Sequence, residues 1–159
     1  MRFVRRAFLS TLGLPAGISE EILVSCKNFP LRIWVIDNSG SMATGDGHKL
    51  VRGSAGREGL VPCSRWGELG DAILWHATLA ARLGAPTEFR LLNAPLAGGA
   101  GGYQVIQCGV GDPDAEIAQV EEMLRTDPIG RTPLCAQINQ VMLARTSGRL
   151  SALGHLAAA

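Results

Sequence analysis

The residues whose types and spacing are best suited to bind or react with a ligand lie in 31–43, LRIWVIDNSGSMA, where an apolar run ends at an aspartate. Asp37, Ser39 and Ser41 stand at alternate positions, and Gly40 separates the two serines. In a tight turn, alternate residues can aim a carboxylate and two hydroxyls at one point, and a glycine lets the backbone fold closely between them. Because hard cations prefer oxygen ligands, this spacing predicts a site for Mg²⁺ or Mn²⁺.

Other chemistries fit these residues less well. A phosphatase-type nucleophilic aspartate has a second carboxylate two positions on, where this chain has Ser39. An aspartic protease places a hydroxyl residue and a glycine directly after its aspartate, and Asn38 breaks that pattern. Neither serine lies in the G-x-S-x-G frame of a serine hydrolase, and the further ligands of an EF-hand loop are missing. A hydrolase or phosphotransferase that uses Asp37 stays as a weaker alternative.

The motif DNSGS at 37–41 resembles the D-x-S-x-S signature of von Willebrand factor type A (vWA) domains, which include the integrin I domains. The hydrophobic strand WVID before it, the helix predicted after it and the segment GRTPL at 130–134 fit the same family. The resemblance covers residues 31–143. It implies a Rossmann-like α/β fold with a metal-ion-dependent adhesion site on top of the sheet.

The resemblance also implies a set of site residues and a function. In the family, a threonine directly before Pro-Leu and a helix completes the hydroxyl ligands, and Thr132 matches it. The family is mainly one of recognition modules and not of enzymes, because its cation captures an acidic side chain of a protein partner. The implied metal ligands are Asp37, Ser39, Ser41 and Thr132, and the implied partner-contacting neighbours are Asn38, Gly40, Met42 and Arg131.

The chain departs from the family pattern after the T-P-L helix. In the family another strand follows there and ends in an aspartate of the metal site, whereas the last acidic residue here is Asp127. We therefore expect a domain truncated at its C-terminus, or completed by another chain, with a weakened cation site and low stability alone. Residues 32–36 would then form an unpaired apolar edge. A vestigial, structural fragment that binds no metal is the alternative.

The elements that must position these residues are predicted from apolar patterns and turn residues. They indicate an α/β fold with an open, mostly parallel sheet flanked by helices and one antiparallel edge strand, without its last strands and helices. Residues 42–64 are predicted to be a long surface loop. The predicted strands are 32–36, 87–92 and 103–108, the last two joined as a hairpin, and the predicted helices are 65–83, 113–124 and 132–144.

The chain divides into three predicted parts. Residues 1–30 form an N-terminal helical extension with a turn at Leu14-Pro15 and a second helix capped by Ser19, residues 31–145 the partial vWA domain, and residues 146–159 an irregular or weakly helical tail. The basic, acid-free start is also typical of a mitochondrial transit peptide. We favour the helical extension, and with it a cytoplasmic location over a mitochondrial one.

Net charge and hydropathy exclude some classes of binding partner. The 159 residues carry a formal net charge of +1, which offers no general attraction to nucleic acid or acidic membranes. No apolar run approaches the about 20 residues that span a bilayer. The expected partner, as the vWA resemblance implies, is a protein that offers a carboxylate, and the sequence leaves the oligomeric state open.

Several further polar residues are predicted to have structural roles. The four cysteines never form a CxxC pair and are expected to be reduced, partly buried thiols. Asp46 and His48 are expected in a solvated loop, and His76 on the apolar stripe of its helix. Asp112 is expected to cap the helix that follows it. The acidic residues Asp112, Asp114, Glu116, Glu121 and Glu122 are expected to form a solvated helix face.

Overall fold

The computed structural model describes residues 2–52, 56–94 and 104–146, which form a mixed α/β structure. The predicted strand at 32–36 and the predicted helices at 65–83 and 113–124 are confirmed, and the strand predicted at 87–92 is confirmed except that it ends at Leu91. The last predicted strand and the last predicted helix each begin two residues later than expected. The described elements are α1 Arg2–Thr11, α2 Ala16–Asn28, β1 Arg32–Ile36, a 3-10 turn Gly40–Ala43, β2 Gly47–Arg52, β3 Glu58–Cys63, α3 Arg65–Leu83, β4 Thr87–Leu91, β5 Val105–Cys108, α4 Pro113–Leu124 and α5 Leu134–Thr146.

The main sheet is small and mixed, with the strand order β1-β4-β5. β1 pairs in parallel with β4, so that Trp34 lies opposite Phe89, and β4 pairs antiparallel with β5. Among the described strands β1 has no neighbour on its other side, which agrees with the expectation of an open edge. The carboxyl ends of β1 and β4 therefore meet at the same edge of the sheet, where open α/β sheets form their sites.

One face of the sheet packs against α3 and α4. Trp34, Phe89 and Ile106 stand side by side on that face in the strand register, and Phe89 is fully buried. α3 ends at Leu83, and the next residue, Gly84, caps the helix with a left-handed backbone (φ +55°), as predicted. The buried core residues of this layer are Ile36, Trp66, Ile73, Ala77, Ala80, Ala81, Phe89, Leu91, Ile106, Cys108, Val120 and Met123.

A second, smaller core joins the N-terminal helices to the end of α3. Leu9 of α1, Leu23 of α2 and Leu83 of α3 are buried together with Ala85. The predicted pair of N-terminal helices is confirmed, but the predicted cap is wrong. α2 begins at Ala16, and Ser19 is a buried residue inside it that donates its backbone N–H to Pro15 O at 3.0 Å.

The segment predicted as a long loop is a β-hairpin instead. β2 and β3 pair antiparallel with Leu50 opposite Leu60. The base of the hairpin is tied to α3, because Arg65 clamps Asp46 through two hydrogen bonds of 2.7 and 2.6 Å and Lys49 pairs with Asp71 at 2.7 Å. The prediction failed because the hairpin is exposed on both faces, so its strands lack an apolar-polar alternation.

The acidic run on α4 is also more structured than predicted. Asp112 is the cap of α4, as expected, and accepts the Ala115 N–H at 2.9 Å. Glu116, however, is buried, which contradicts the prediction of a wholly solvated face. Its carboxylate accepts backbone N–H groups from Gly109 at 2.6 Å, Val110 at 2.9 Å and Gly111 at 2.5 Å.

No helix in the described ranges is both long enough and apolar enough to cross a membrane. All four cysteines are unpaired thiols. Cys108 is buried, Cys26 and Cys63 are half-buried, and Cys135 is exposed.

Candidate metal centre

The D-x-S-x-S segment folds into a tight turn directly after β1. The backbone N–H of Ser39 donates to Asp37 Oδ1 at 2.8 Å, and the Ser39 and Ser41 hydroxyls form a hydrogen bond with each other, with 3.1 Å between their oxygens. The 3-10 turn returns the chain through a hydrogen bond of 2.9 Å from Met42 N–H to Ser39 O. Three of the four predicted ligands therefore belong to one tight turn.

The segment that carries Thr132 docks onto this turn through its backbone. Gly40 N–H donates to Gly130 O at 3.0 Å, and Ile129 N–H donates to Asn38 O at 2.7 Å. Thr132 is exposed and lies two residues after Gly130. The structure thus brings the two predicted loops together, although no hydrogen bond in the described part of the chain joins the Thr132 hydroxyl to the first loop.

A residue that sequence reasoning missed, Asn93, holds both loops. Its backbone N–H donates to Asn38 Oδ1 at 2.8 Å, and its backbone carbonyl accepts from Asn38 Nδ2 at 3.0 Å. Its side-chain amide donates to Arg131 O at 2.7 Å. Because Asn93 follows β4 at the same sheet edge as Asp37, its place after the neighbouring strand was the available signal.

The close approach around Asn93 also explains a glycine in the second loop. Gly130 has a φ of +77°, and a Cβ added there would lie 2.9 Å from Asn93 Oδ1. Any other residue at 130 would combine backbone strain with a collision against the amide that links the loops. Gly130 is therefore needed for the loops to meet.

The predicted partner-contacting residues occupy different environments. Asn38 is 2% exposed and its side chain is engaged by Asn93, so its role in this structure is to position the loops. Met42 is half-buried and packs against the main core. Gly40 and Arg131 are exposed next to the proposed ligands.

Asp37 supplies the only carboxylate among the proposed ligands. Its half-buried carboxylate accepts the Ser39 N–H, and no ion pair within the described residues neutralises it. In the same ranges no three His, Cys, Asp or Glu side chains gather where they could hold a metal ion. A cation here would be held by one carboxylate, by neutral hydroxyls and by water.

The helix α5 is anchored at this edge by Gln137. This side chain is buried, and its Nε2 donates to Leu92 O at 3.0 Å. Its Oε1 is also buried and has no partner among the described residues. The bond to Leu92 ties the helix that follows Thr132 to the strand end that precedes Asn93.

The remaining polar residues considered in the sequence analysis, Asp46, His48 and His76, make contacts outside the candidate metal centre. The hydrogen bond from Arg65 lowers the pKa of Asp46, which keeps that carboxylate ionised and held at the hairpin base. His48 is exposed, and its backbone N–H donates to a Glu68 carboxylate oxygen at 3.1 Å. His76 lies far along α3, where its ring is 4.5 Å from that of Trp34 and burial lowers its pKa.

Comparison with known proteins returns no match, neither to a family model, nor to a curated protein, nor to a solved structure.

Proposed function

We propose that this chain is a cation-dependent protein-interaction module of the vWA type. In this proposal Asp37, Ser39, Ser41 and Thr132 hold Mg²⁺ or Mn²⁺, and the cation captures a carboxylate of a protein partner. The family's Rossmann-like sheet, with the metal loops at the carboxyl ends of its strands, is part of the same proposal. The parallel pairing of β1 and β4 supports it, because that pairing puts the loops of Asp37 and Asn93 at one sheet edge.

The observation that supports the cation most directly is the spacing of the two serine hydroxyls. Adjacent corners of an octahedron with metal–oxygen bonds of about 2.0–2.1 Å are about 2.9 Å apart. The Ser39 and Ser41 oxygens are separated by 3.1 Å, and the unneutralised Asp37 carboxylate stands in the same turn. The two hydroxyl oxygens, which share a hydrogen bond, are therefore about as far apart as adjacent ligands of one cation.

The ligand chemistry also suits capture of an acidic group. Hydroxyl ligands are neutral, so a divalent cation bound by one carboxylate keeps a net positive charge and attracts a further anionic ligand. The partner's carboxylate would fill an open coordination position that otherwise holds water. With only one anionic ligand proposed from this chain, we expect weak affinity for the cation alone.

A Mn²⁺ titration followed by electron paramagnetic resonance tests the cation site. We expect the wild-type chain to bind Mn²⁺ at a single site from which Mg²⁺ displaces it, and Asp37→Asn to weaken binding at least tenfold. Asp127→Asn is the matched control, because Asp127 is an exposed acid close to the second loop that is not a proposed ligand. Equal binding by Asp37→Asn and the wild type would support the vestigial alternative and contradict the proposal.

Capture of a carboxylate has its own test on the Mn²⁺-loaded chain. Bound Mn²⁺ accelerates the relaxation of water protons, and a carboxylate that displaces metal-bound water lowers this enhancement. We expect acetate to lower it and acetamide, which has the same shape but no charge, to leave it unchanged. An equal response to both molecules would contradict capture while leaving cation binding intact.

A further inference from the structure

One buried glutamine in α5 keeps a polar atom without a partner. The Gln137 side chain is 4% exposed, and its Oε1 has no hydrogen-bond partner among the described residues. The amide cannot be reversed to relieve this, because Oε1 would then face Leu92 O, which is also an acceptor. A buried acceptor without a partner destabilises the folded state, and an apolar side chain of similar size would avoid that loss. Stability alone therefore does not explain a glutamine at this position.

The hydrogen bonds of Gln137 connect the start of α5 to the end of β1. Its backbone N–H donates to Pro133 O at 3.1 Å in the first turn of the helix, and its Nε2 donates to Leu92 O at 3.0 Å. The Leu92 N–H in turn donates to Ile36 O at 2.9 Å. The Gln137 side chain thus joins the helix that follows the second loop of the candidate metal centre to the strand that precedes the first loop.

Thr132 lies between two anchored points of the second loop. On one side, Arg131 O accepts a hydrogen bond of 2.7 Å from Asn93 Nδ2. On the other side, Pro133 belongs to the turn of α5 that Gln137 holds against the end of β4. The position of Thr132 relative to the first loop is therefore set from both sides by side-chain amides.

We propose that Gln137 is a positioning residue that holds Thr132 in place for the cation. This inference rests on the proposed function, since Thr132 is one of the proposed metal ligands. Gln137 does not touch the cation, because its Oε1 is buried and its Nε2 is occupied by Leu92 O. It acts by fixing the start of α5 against the strand end beside Asp37. Ligands that are held in place before binding lose less conformational freedom when they bind, so the affinity for the cation is higher.

Gln137→Leu separates positioning from a merely structural role. Leucine fills a similar volume, and it removes the unpartnered acceptor together with the bond to Leu92. We expect Gln137→Leu to weaken Mn²⁺ binding about five- to tenfold in the electron paramagnetic resonance titration, which is the worth of about one hydrogen bond. The urea midpoint should stay close to that of the wild type, because the lost bond is offset by removal of the unpartnered acceptor. Gln140→Leu makes the same change at an exposed position of α5 and should bind Mn²⁺ like the wild type. Unchanged Mn²⁺ affinity in Gln137→Leu would overturn the proposal.

A double-mutant cycle with Thr132→Ala tests whether Gln137 acts through Thr132. Once the threonine hydroxyl is removed, Gln137→Leu should weaken Mn²⁺ binding by less than about a further twofold. A general loss of folding would instead lower the affinity by the same factor in both backgrounds. Equal factors in the two backgrounds would contradict positioning of Thr132 by Gln137.

The wild-type chain offers a test that needs no substitution. If the bond between Gln137 and Leu92 favours cation binding, thermodynamic linkage requires the cation to stabilise that bond by the same factor. The side-chain amide protons of Gln137 should therefore exchange with water more slowly in saturating Mg²⁺ than without it, as measured by nuclear magnetic resonance. Unchanged exchange in a chain that binds Mg²⁺ would overturn this inference alone, whereas a chain that binds neither Mg²⁺ nor Mn²⁺ would contradict the proposed function itself.

Discussion

Polar side chains organise the loops at both ends of this small sheet. Asn93 links the two loops of the candidate metal centre, and Glu116 gathers three backbone N–H groups between β5 and α4. The position of Asn93 after β4 was a signal that the sequence analysis did not use, whereas the role of Glu116 could not be predicted, since a glutamate in an acidic run is usually solvated. Asp37, Ser39 and Ser41 could be predicted, because their alternation after a strand is a local pattern that the turn preserves.

Glu116 should contribute far more to the free energy of unfolding than the neighbouring acidic residues do. A hydrogen bond to a charged group contributes about 1.5–3 kcal/mol, and Glu116→Gln replaces one of the carboxylate oxygens with a donor that faces other donors. We expect this change to lower the free energy of unfolding by about 2–3 kcal/mol in urea denaturation. Glu121→Gln, on the exposed side of the same helix, should change it by less than about 0.5 kcal/mol. Similar losses for the two variants would contradict this role.

Cys108 should be chemically silent in the folded protein. Burial and the nearby Glu116 charge raise the pKa of its thiol to about 12, so almost no thiolate forms at pH 8. Iodoacetamide at pH 8 should label the exposed Cys135 first and Cys108 only after denaturation, as mapped by peptide mass spectrometry. Equal rates at these two cysteines in the native protein would show that the thiol is accessible and ionisable.

Helices and strands with a regular pattern of buried apolar residues could be predicted from the sequence. The exposed hairpin, which has no such pattern, could not. α3 is confirmed from residue to residue because a buried stripe and a closing glycine define it, and β1 and β4 are apolar runs of strand length. The β2–β3 hairpin escaped prediction because Leu50 and Leu60 are 65% and 70% exposed, so burial imposes no pattern on its strands. Ser19 was wrongly predicted to cap α2. A serine followed by two glutamates is typical of a helix start, although here it lies inside the helix.

The hairpin should be removable without loss of the main core. Its apolar side chains are largely exposed, and its ion pair between Lys49 and Asp71 is at the surface, where such pairs contribute about 0–1 kcal/mol. Replacing residues 49–61 with a short Gly-Ser linker should change the free energy of unfolding by less than about 1.5 kcal/mol. Phe89→Ala, which empties the centre of the main core, should cost about 3–5 kcal/mol in the same assay. A hairpin-free chain that loses as much as Phe89→Ala would contradict this division.

At the scale of the whole molecule, the candidate metal centre lies at one end of the parallel strand pair. The loops of Asp37, Asn93 and Thr132 lie at the carboxyl end of β1 and β4. That position follows from strand direction and could be predicted. The packing of α1 and α2 against the end of α3 could not, because no local pattern in the N-terminal helices specifies it.

The most direct test of the proposed cation site is to locate bound Mn²⁺ by nuclear magnetic resonance on the ¹⁵N-labelled chain. At substoichiometric Mn²⁺, paramagnetic broadening should first remove the amide signals of Ser39, Gly40 and Ser41 together with those of Arg131 and Thr132, and Asp37→Asn should abolish the effect. That result would show one cation between the two loops. Broadening that instead begins at the exposed acids Asp112 and Asp114, or that persists in Asp37→Asn, would contradict a cation site at this edge of the sheet.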